Sequence, residues 1–327
     1  MKHLLFLFSF LLILSCGNKK SSNHKILSDS SGNINNLSVV IDNTLWEGNV
    51  GEAIRDVLAA PLDGLPQDEP LFNMSQIPPT VFSGFVTHNR TVFKIEKGKE
   101  ASFKIASNVF AKPQKLILIT GITDTEIIQQ IKENGNKIIA AFKSEEIKEK
   151  QRRIALSLHK NNTLKNKLGI TLNFPTAYRI AKEEDKFYWI RKDIATGTTN
   201  LMIYELPYNY LKKDDSLSLV HQIIKLRDSV GKAHIPGPTD GTYMITEEAY
   251  APAVFETIID NKPTIETKGL WDVKNAFMSG PFINYIIDDK ANNRFLVIEG
   301  FAFAPSVEKR DYMFELEAII RSLKIDE

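Results

Sequence analysis

The side chains best suited to acid–base chemistry lie in an acidic loop bounded by prolines, residues 65–72. Asp68 and Glu69 are adjacent there, and Asp240 lies in a second proline-containing segment. Two carboxyl groups within about 5 to 10 Å of each other in a cleft can cleave a glycosidic bond. Alternatively, the loop presents Asp68 and Glu69 to a ligand beside Trp46. In a third interpretation, the prolines merely end a helix, Trp46 is core and the acids are solvated.

Three further side chains join the candidate binding residues. Tyr243 follows Asp240 in the segment that matches the acidic loop. His88 and Arg90 flank Asn89 at the polar end of a predicted strand. They either form a binding edge or simply terminate that strand.

No nucleophile or metal site is predicted. Several segments, including residues 22–25, 157–160 and 306–309, match Ser-x-x-Lys, the nucleophile motif of penicillin-binding proteins, but none is accompanied by Ser-Asp-Asn or Lys-Thr-Gly. The histidines lack the His-Glu-x-x-His spacing of a metalloprotease. Residues 288–299 imitate a calcium loop, but Lys290 replaces a ligand and Asn293 the required glycine, so a hairpin turn is favoured. We therefore expect no catalytic residue, no metal and no cofactor.

The strongest chemical signal is Cys16. The chain begins with Lys2, an apolar run at residues 4–14 and small residues around the cysteine, which is typical of a secretory signal. The apolar run is about half the roughly 20 residues that a helix needs to cross a bilayer. Ile13-Leu14-Ser15-Cys16 looks like a lipobox, so residues 1–15 are predicted to be cleaved and Cys16 to carry membrane-anchoring acyl chains such as palmitate. The alternative is an ordinary signal peptide with an incidental cysteine.

The residues after Cys16 predict a location. Segment 17–24 is polar and basic, without an aspartate at the second position and without the acidic run of surface-exported lipoproteins. These features favour the periplasmic face of the outer membrane. Residues 16–36 contain mostly Ser, Asn, Gly and Lys and are predicted to form a flexible tether.

Composition excludes one class of partner. The chain has 41 basic and 40 acidic residues, and the predicted leader removes only Lys2, so the mature net charge is close to zero. A nucleic-acid binder needs an excess of basic charge, so nucleic acid is excluded. The 327 residues predict one large or two modest domains, and the single cysteine excludes a cysteine-based zinc site.

The sequence shows an apparent internal repeat. Residues 53–57 resemble residues 225–229 at an offset of 172, and residues 79–82 resemble residues 252–255 at an offset of 173. The alternative is chance similarity within an unrepeated fold.

Both predicted halves, 37–166 and 167–327, have the same order of elements. Hydrophobic spacing predicts strands at 37–42, 91–96, 116–120, 201–206, 281–288 and 294–303, and helices at 50–58, 125–141, 216–230 and 307–323. A charged run at 143–166 is predicted to be a solvated helix that links the halves. The pattern predicts an α+β fold with two tandem, possibly duplicated halves of mostly antiparallel sheet and helices packed on one face.

Several segments carry a resemblance to a known family. They are residues 45–51, 65–72 and 187–191, together with 299–301 and 304–305. The chain resembles a family of uncharacterised Bacteroidota lipoproteins that is catalogued only as a domain of unknown function. The resemblance implies lipidation and a cell-envelope setting, and it implies no catalytic residue.

These observations favour a non-enzymatic binding or assembly module, anchored to the membrane through Cys16 and facing the periplasm. Its expected partner is an envelope protein or a glycan. The alternative is an envelope hydrolase, acting on glycan or peptide, that uses Asp68, Glu69 and Asp240.

Overall fold

The chain, seen in a computed structural model, is described over residues 26–160, 162–211 and 218–326. The predicted leader, Cys16 and the first part of the predicted tether lie outside the described residues. The remainder of the predicted tether belongs to the fold, because Ser28–Asp29 pairs in parallel with Ala111–Lys112. The tether predicted to reach residue 36 is therefore too long.

The described first half contains seven strands and three helices. The strands are β1 (Ser28–Asp29), β2 (Asn36–Val40), β3 (Asn73–Ile77), β4 (Thr91–Lys97), β5 (Ser102–Ser107), β6 (Ala111–Lys112) and β7 (Lys115–Gly121). The helices are α1 (Asn43–Glu47), α2 (Asn49–Leu58) and α3 (Asp124–Ala155).

The sheet of the first half has the strand order β3-β2-β4-β7-β5. Only the β5–β7 pair is antiparallel among these five strands. Parallel neighbours need long crossover connections, and residues 41–72 connect β2 to β3 while residues 98–114 connect β4 to β7. Helices α2 and α3 cover one face and bury Val39, Phe93 and Ile119 beneath them.

The described second half contains three helices and ten strands. The helices are α4 (Thr163–Leu168), α5 (Leu219–His234) and α6 (Arg310–Ile320). The strands are β8 (Ile170–Thr171), β9 (Arg179–Glu183), β10 (Phe187–Ile194), β11 (Gly197–Pro207), β12 (Met244–Thr246), β13 (Ala253–Ile259), β14 (Lys262–Val273), β15 (Ala276–Asp289), β16 (Arg294–Phe303) and β17 (Lys324–Ile325).

An eight-stranded antiparallel sheet dominates the second half, in the order β12-β14-β15-β16-β11-β10-β9 with β13 paired to β14. Its long strands are apolar on both sides, because side chains alternate between two buried faces. One face packs against α6 through residues such as Tyr285 and Ile298. The opposite face packs against α5 through residues such as Phe282 and Val297.

Helix α3 joins the two halves. Its first part packs in the first core through Ile138 and Phe142. Its last part packs in the second core through Ile147 and Ile154. The helix predicted at 125–141 and the linking helix predicted at 143–166 are therefore largely one continuous helix. The linking segment is also less solvated than predicted, since Glu146 is fully buried.

The predicted α+β class with two halves is confirmed, and the ten predicted strands and helices each match an element of the structure. Antiparallel pairing describes the second half, whereas the first half is mainly parallel. The possible duplication finds no counterpart in the topology, because residues 79–82 begin in a 3₁₀ turn while residues 252–255 enter strand β13.

Candidate functional site

Glu69 has a structural partner. Its carboxylate accepts hydrogen bonds from the backbone N–H groups of Lys309 and Arg310, at 2.7 Å each. These groups open helix α6 and would otherwise lack acceptors, and a negative charge at this end also favours the helix dipole. Glu69 from the first half therefore caps a helix of the second half and is only 4% exposed.

Arg90 is also part of the framework. Its guanidinium forms a bidentate ion pair with Glu146 of α3, at 2.8 and 3.0 Å. It also donates to the carbonyl oxygens of Gly32 and Asn33. Arg90 is 2% exposed, so it clasps the N-terminal segment onto α3. Neighbouring His88 is half-buried, and its ring centroid lies 5.7 Å from that of Phe85.

The other predicted binding residues lie apart from a common centre. Trp46 is half-buried against the first core, with the guanidinium of Arg55 4.9 Å from its ring centroid. Asp68 and Asp240 are exposed. Tyr243 is half-buried between Lys232 and Lys274, whose ammonium groups each lie 5.6 Å from its ring.

A pocket on the α5 side of the large sheet is the better candidate site. We call it the aromatic pocket, and its volume is about 220 Å³. Its walls carry Trp189, Trp271, Phe301 and Phe303, and its rim is formed by residues 235–238 after α5. Trp189 and Phe303 are only half-buried, and two rim prolines are exposed, so the pocket reaches the surface. Concave, mostly apolar pockets of this kind are the usual ligand sites of proteins.

The strand register brings the pocket residues together. Arg191 on β10 lies opposite Asn200 on β11, and Asn200 lies opposite Phe301 on β16. Two residues further along the same two strands, Thr198 on β11 lies opposite Phe303 on β16. Residues two apart on a strand share a face, so these side chains all point to the same side of the sheet.

A chain of hydrogen bonds fixes the polar side of the pocket. The Trp189 indole N–H donates to Asn200 Oδ1 at 3.0 Å. Asn200 Nδ2 then donates to the Thr198 hydroxyl oxygen at 3.0 Å. The Arg191 guanidinium donates to Asp193 Oδ1 at 3.0 Å. Asn200 is 1% exposed and Thr198 is 9% exposed, so this polar side is held rigidly.

Helix α5 is held beside the pocket by a buried ion pair. Arg227 donates to both carboxylate oxygens of Glu299, at 2.8 and 2.7 Å, and lies 3.4 Å from the ring centroid of Phe282. Burial beneath the helix raises the pKa of Tyr204 well above its ordinary value. Gly231 lets α5 approach β12, since a Cβ atom there would lie 2.3 Å from the Met244 carbonyl oxygen. Helix α5 ends at His234, and the next residue, Ile235, already lines the pocket.

Sequence reasoning missed the aromatic pocket. Its residues come from segments between 189 and 303, and their convergence depends on the order and register of strands. The one usable signal is the cluster of aromatic and charged residues at 187–191, which includes Trp189 and Arg191. Among the described residues, no group of three or more His, Cys, Asp or Glu side chains is arranged to hold a metal ion.

Two family models match the chain. The model described as Domain of unknown function (DUF4837) matches residues 157–322, about half of the chain. The chain belongs to the DUF4837 family. A second model, described as Domain of unknown function (DUF8532), matches residues 30–155. The aromatic pocket lies within the DUF4837 part, and Glu69 and Arg90 lie within the DUF8532 part.

Solved structures show low similarity to the chain. The Ran-binding protein Mog1p of Saccharomyces cerevisiae is 10% identical with a TM-score of 0.31, covering 48% of this chain and 90% of that chain. LpqN, described as involved in cell envelope biogenesis of Mycobacterium tuberculosis, is 10% identical with a TM-score of 0.29, covering 48% and 83%. No curated protein matches the chain significantly. Over the part of the chain that the structure describes, no helix is long and apolar enough to span a bilayer.

Proposed function

We propose that this chain is a non-enzymatic binding module of the cell envelope, anchored by acyl chains on Cys16, and that its ligand site is the aromatic pocket. The anchor rests on the lipobox-like segment and on the apolar run before it. The location that we propose is the periplasmic face of the outer membrane, on the basis of the residues after Cys16.

One observation carries the binding role. The large sheet is covered on both faces, but beside α5 it leaves an open space lined by aromatic rings. Protein interiors are normally close-packed, and a gap of about 220 Å³ has room for several water molecules. The rings of Trp189 and Phe303 are half-buried, and covering their remaining exposed surface with a ligand favours binding.

The hydrolase alternative has less support in the described residues. Glu69 is occupied by the N-terminus of α6. No Asp or Glu side chain lines the aromatic pocket in the part of the chain that the structure describes. We therefore favour binding over glycan or peptide cleavage.

Site-specific photocrosslinking in the native envelope tests the binding role. Phe303 lines the pocket, whereas Phe277 is fully exposed on β15 and does not line it. Replacing Phe303 with benzoylphenylalanine should give a reproducible adduct after irradiation, and the same replacement at Phe277 should not. Adducts of equal yield at both positions, or at neither, would contradict the proposed site.

The anchor is tested separately by Cys16→Ser. We expect the wild-type protein to sediment with membranes and the variant to remain in the soluble fraction. Mass spectrometry of the wild-type amino terminus should show an acylated cysteine. An unacylated terminus, or a variant that still sediments, would contradict the anchor without affecting the pocket.

A further inference from the structure

The polar side chains that line the aromatic pocket are all hydrogen-bond donors. Arginine has five N–H groups and no acceptor. Arg191 uses its Nε and one terminal nitrogen on Asp193. Its other terminal nitrogen has no acceptor within the described residues. The guanidinium is about one third exposed, so this nitrogen is available to a ligand at the rim.

Asn200 and Thr198 offer two more donors. The only acceptor of the Asn200 side chain, Oδ1, already receives the Trp189 N–H. This bond fixes the orientation of the amide, because a flipped amide would place two donors face to face. One N–H of Asn200 goes to Thr198, which leaves the second N–H and the Thr198 hydroxyl hydrogen without an acceptor in the described parts of the chain. Buried donors of this kind favour a ligand that accepts.

The remaining walls are apolar. The Trp271 indole N–H donates to the carbonyl oxygen of Ala302 at 3.2 Å, so only the ring faces of the tryptophan bound the pocket. Phe301, Phe303 and Met278 add no hydrogen-bonding group. The lining side chains offer only two acceptor oxygens, Asn200 Oδ1 and Thr198 Oγ1, and each already accepts one hydrogen bond, so a sugar with several hydroxyl hydrogens fits poorly. The lining thus favours a ligand with an apolar body and a single accepting end.

Charge adds to this preference. Arg179 and Arg191 both approach Asp193, at 3.7 and 3.0 Å, so two guanidinium groups share one carboxylate at the rim. These three side chains together carry one net positive charge, which favours an anion beside Arg191. A carboxylate fits the planar arrangement of arginine N–H groups and accepts from several donors at once.

We infer that the aromatic pocket binds a carboxylate carried on one aromatic ring or a short alkyl chain. This inference rests on the proposed function and specifies the ligand. The carboxylate contacts Arg191, Asn200 and Thr198, and the apolar body lies between the tryptophan and phenylalanine rings. A volume of about 220 Å³ is below the roughly 300 Å³ at which drug-sized sites begin, so the pocket holds one ring or a short chain.

Two sources share this chemistry, a free aryl acid and the C-terminal residue of a peptide. Calorimetric titration of the purified full chain distinguishes them. The first pair of probes is 3-phenylpropionate and its neutral counterpart 3-phenylpropanol. The second pair is acetyl-glycyl-phenylalanine and its C-terminal amide. In each pair we expect the acid to bind at least tenfold more tightly than the neutral probe. The source is whichever acid binds more tightly.

Arg191→Gln removes the proposed contact with the carboxylate, and Arg179→Gln is its control. We expect Arg191→Gln to weaken binding of the acid at least tenfold and to leave 3-phenylpropanol unchanged. Arg179→Gln removes the same charge from the same rim without altering the pocket lining, and should change affinity less than threefold. Thermal unfolding of each variant checks the fold, which should persist because both arginines are at least one third exposed.

Three results would overturn the inference. The first is equal binding of acid and neutral probes, and the second is an unchanged affinity of the acid for Arg191→Gln. The third is absence of binding by all four probes at millimolar concentration. If the Phe303 crosslink is still obtained in any of these cases, the pocket remains a ligand site and only the ligand class is wrong. Loss of that crosslink contradicts the proposed function itself.

Discussion

At the scale of single residues, a buried charge in this protein tends to serve the framework. The sequence offers Glu69 and Arg90 as candidate binding residues, because Glu69 lies in an acidic, proline-bounded loop and Arg90 lies at the polar end of a predicted strand. The structure gives each a buried partner from a distant segment. Sequence alone cannot distinguish a helix cap from a ligand contact when the helix lies 240 residues away.

Removing the Glu69 carboxylate should destabilise the fold. Glu69→Ala leaves the N–H groups of Lys309 and Arg310 without acceptors at the start of α6, and we expect it to lower the free energy of unfolding by about 2 kcal/mol. The adjacent, exposed Asp68 provides a matched control, and Asp68→Ala should change the free energy of unfolding by less than about 0.5 kcal/mol. Urea unfolding measures both. Equal effects of the two variants would remove the capping role.

At the scale of elements, α3 and α6 meet along a line of ion pairs. Lys143 on α3 lies 2.8 Å from Glu317 on α6, and Lys150 on α3 lies 2.7 Å from Glu315. Arg321 adds a second cation to Glu317 at 2.7 Å. The two carboxylates are largely buried, so each pair becomes costly when one partner loses its charge.

Low pH should weaken the ion-pair contact between α3 and α6. Burial alone raises the pKa of Glu317, but the charges of Lys143, Arg321 and Lys268 outweigh burial and hold the pKa at about 2, below the ordinary 4.5. Because the pKa is lower in the folded state, the stabilisation is complete above about pH 5 and is lost as the pH falls toward 2. The loss should reach about 3 kcal/mol.

Urea unfolding between pH 7 and pH 3 tests this dependence on Glu317. We expect Glu317→Gln to lower stability at pH 7 and to flatten the fall toward pH 3. Glu308→Gln, on an exposed residue just before α6, should retain the wild-type slope. A Glu317→Gln protein with an undiminished slope would place the acid sensitivity elsewhere.

The elements themselves were largely predictable, and their arrangement was not. The apolar alternation of residues 294–303 and the helical spacing of residues 216–230 each identified an element of the structure. Strand direction in the first half escaped prediction, because residues 37–42 are equally apolar in a parallel or an antiparallel sheet. The aromatic pocket could not be predicted either, because its residues come together only through the order of the strands in the sheet.

At the scale of the whole molecule, the boundary between the two family models falls at the end of α3. The models meet near residues 155–157, yet Ile147 and Ile154 of α3 lie in the core of the second half. Gln151 donates to the Ala318 carbonyl oxygen, and Glu69 caps α6 across the same contact. The two halves are distinct in sequence and continuous in packing.

The halves should therefore unfold together. We expect the full chain to show one calorimetric transition. A piece comprising residues 157–327 should unfold at least 10 °C lower or aggregate, because it exposes the surface that α3 covers. Co-expression with residues 1–156 should restore the higher transition. An isolated second half that melts at the temperature of the full chain would show that the contact contributes little.

The contacts that Arg90 makes with the N-terminal segment and with α3 determine how a pulling force on the amino terminus enters the fold. Residues 32 and 33 are held by Arg90, Arg153 also donates to the Gly32 carbonyl oxygen, and the Asn35 N–H donates to Glu146. A pulling force applied to the chain before Ser28 acts first on the β1–β6 pair, which is two residues long. It acts next on the hydrogen bonds that Arg90 and Arg153 donate to Gly32. The force then reaches α3 through the side chains of Arg90, Arg153 and Glu146, and none of these residues lies on a strand that lines the aromatic pocket.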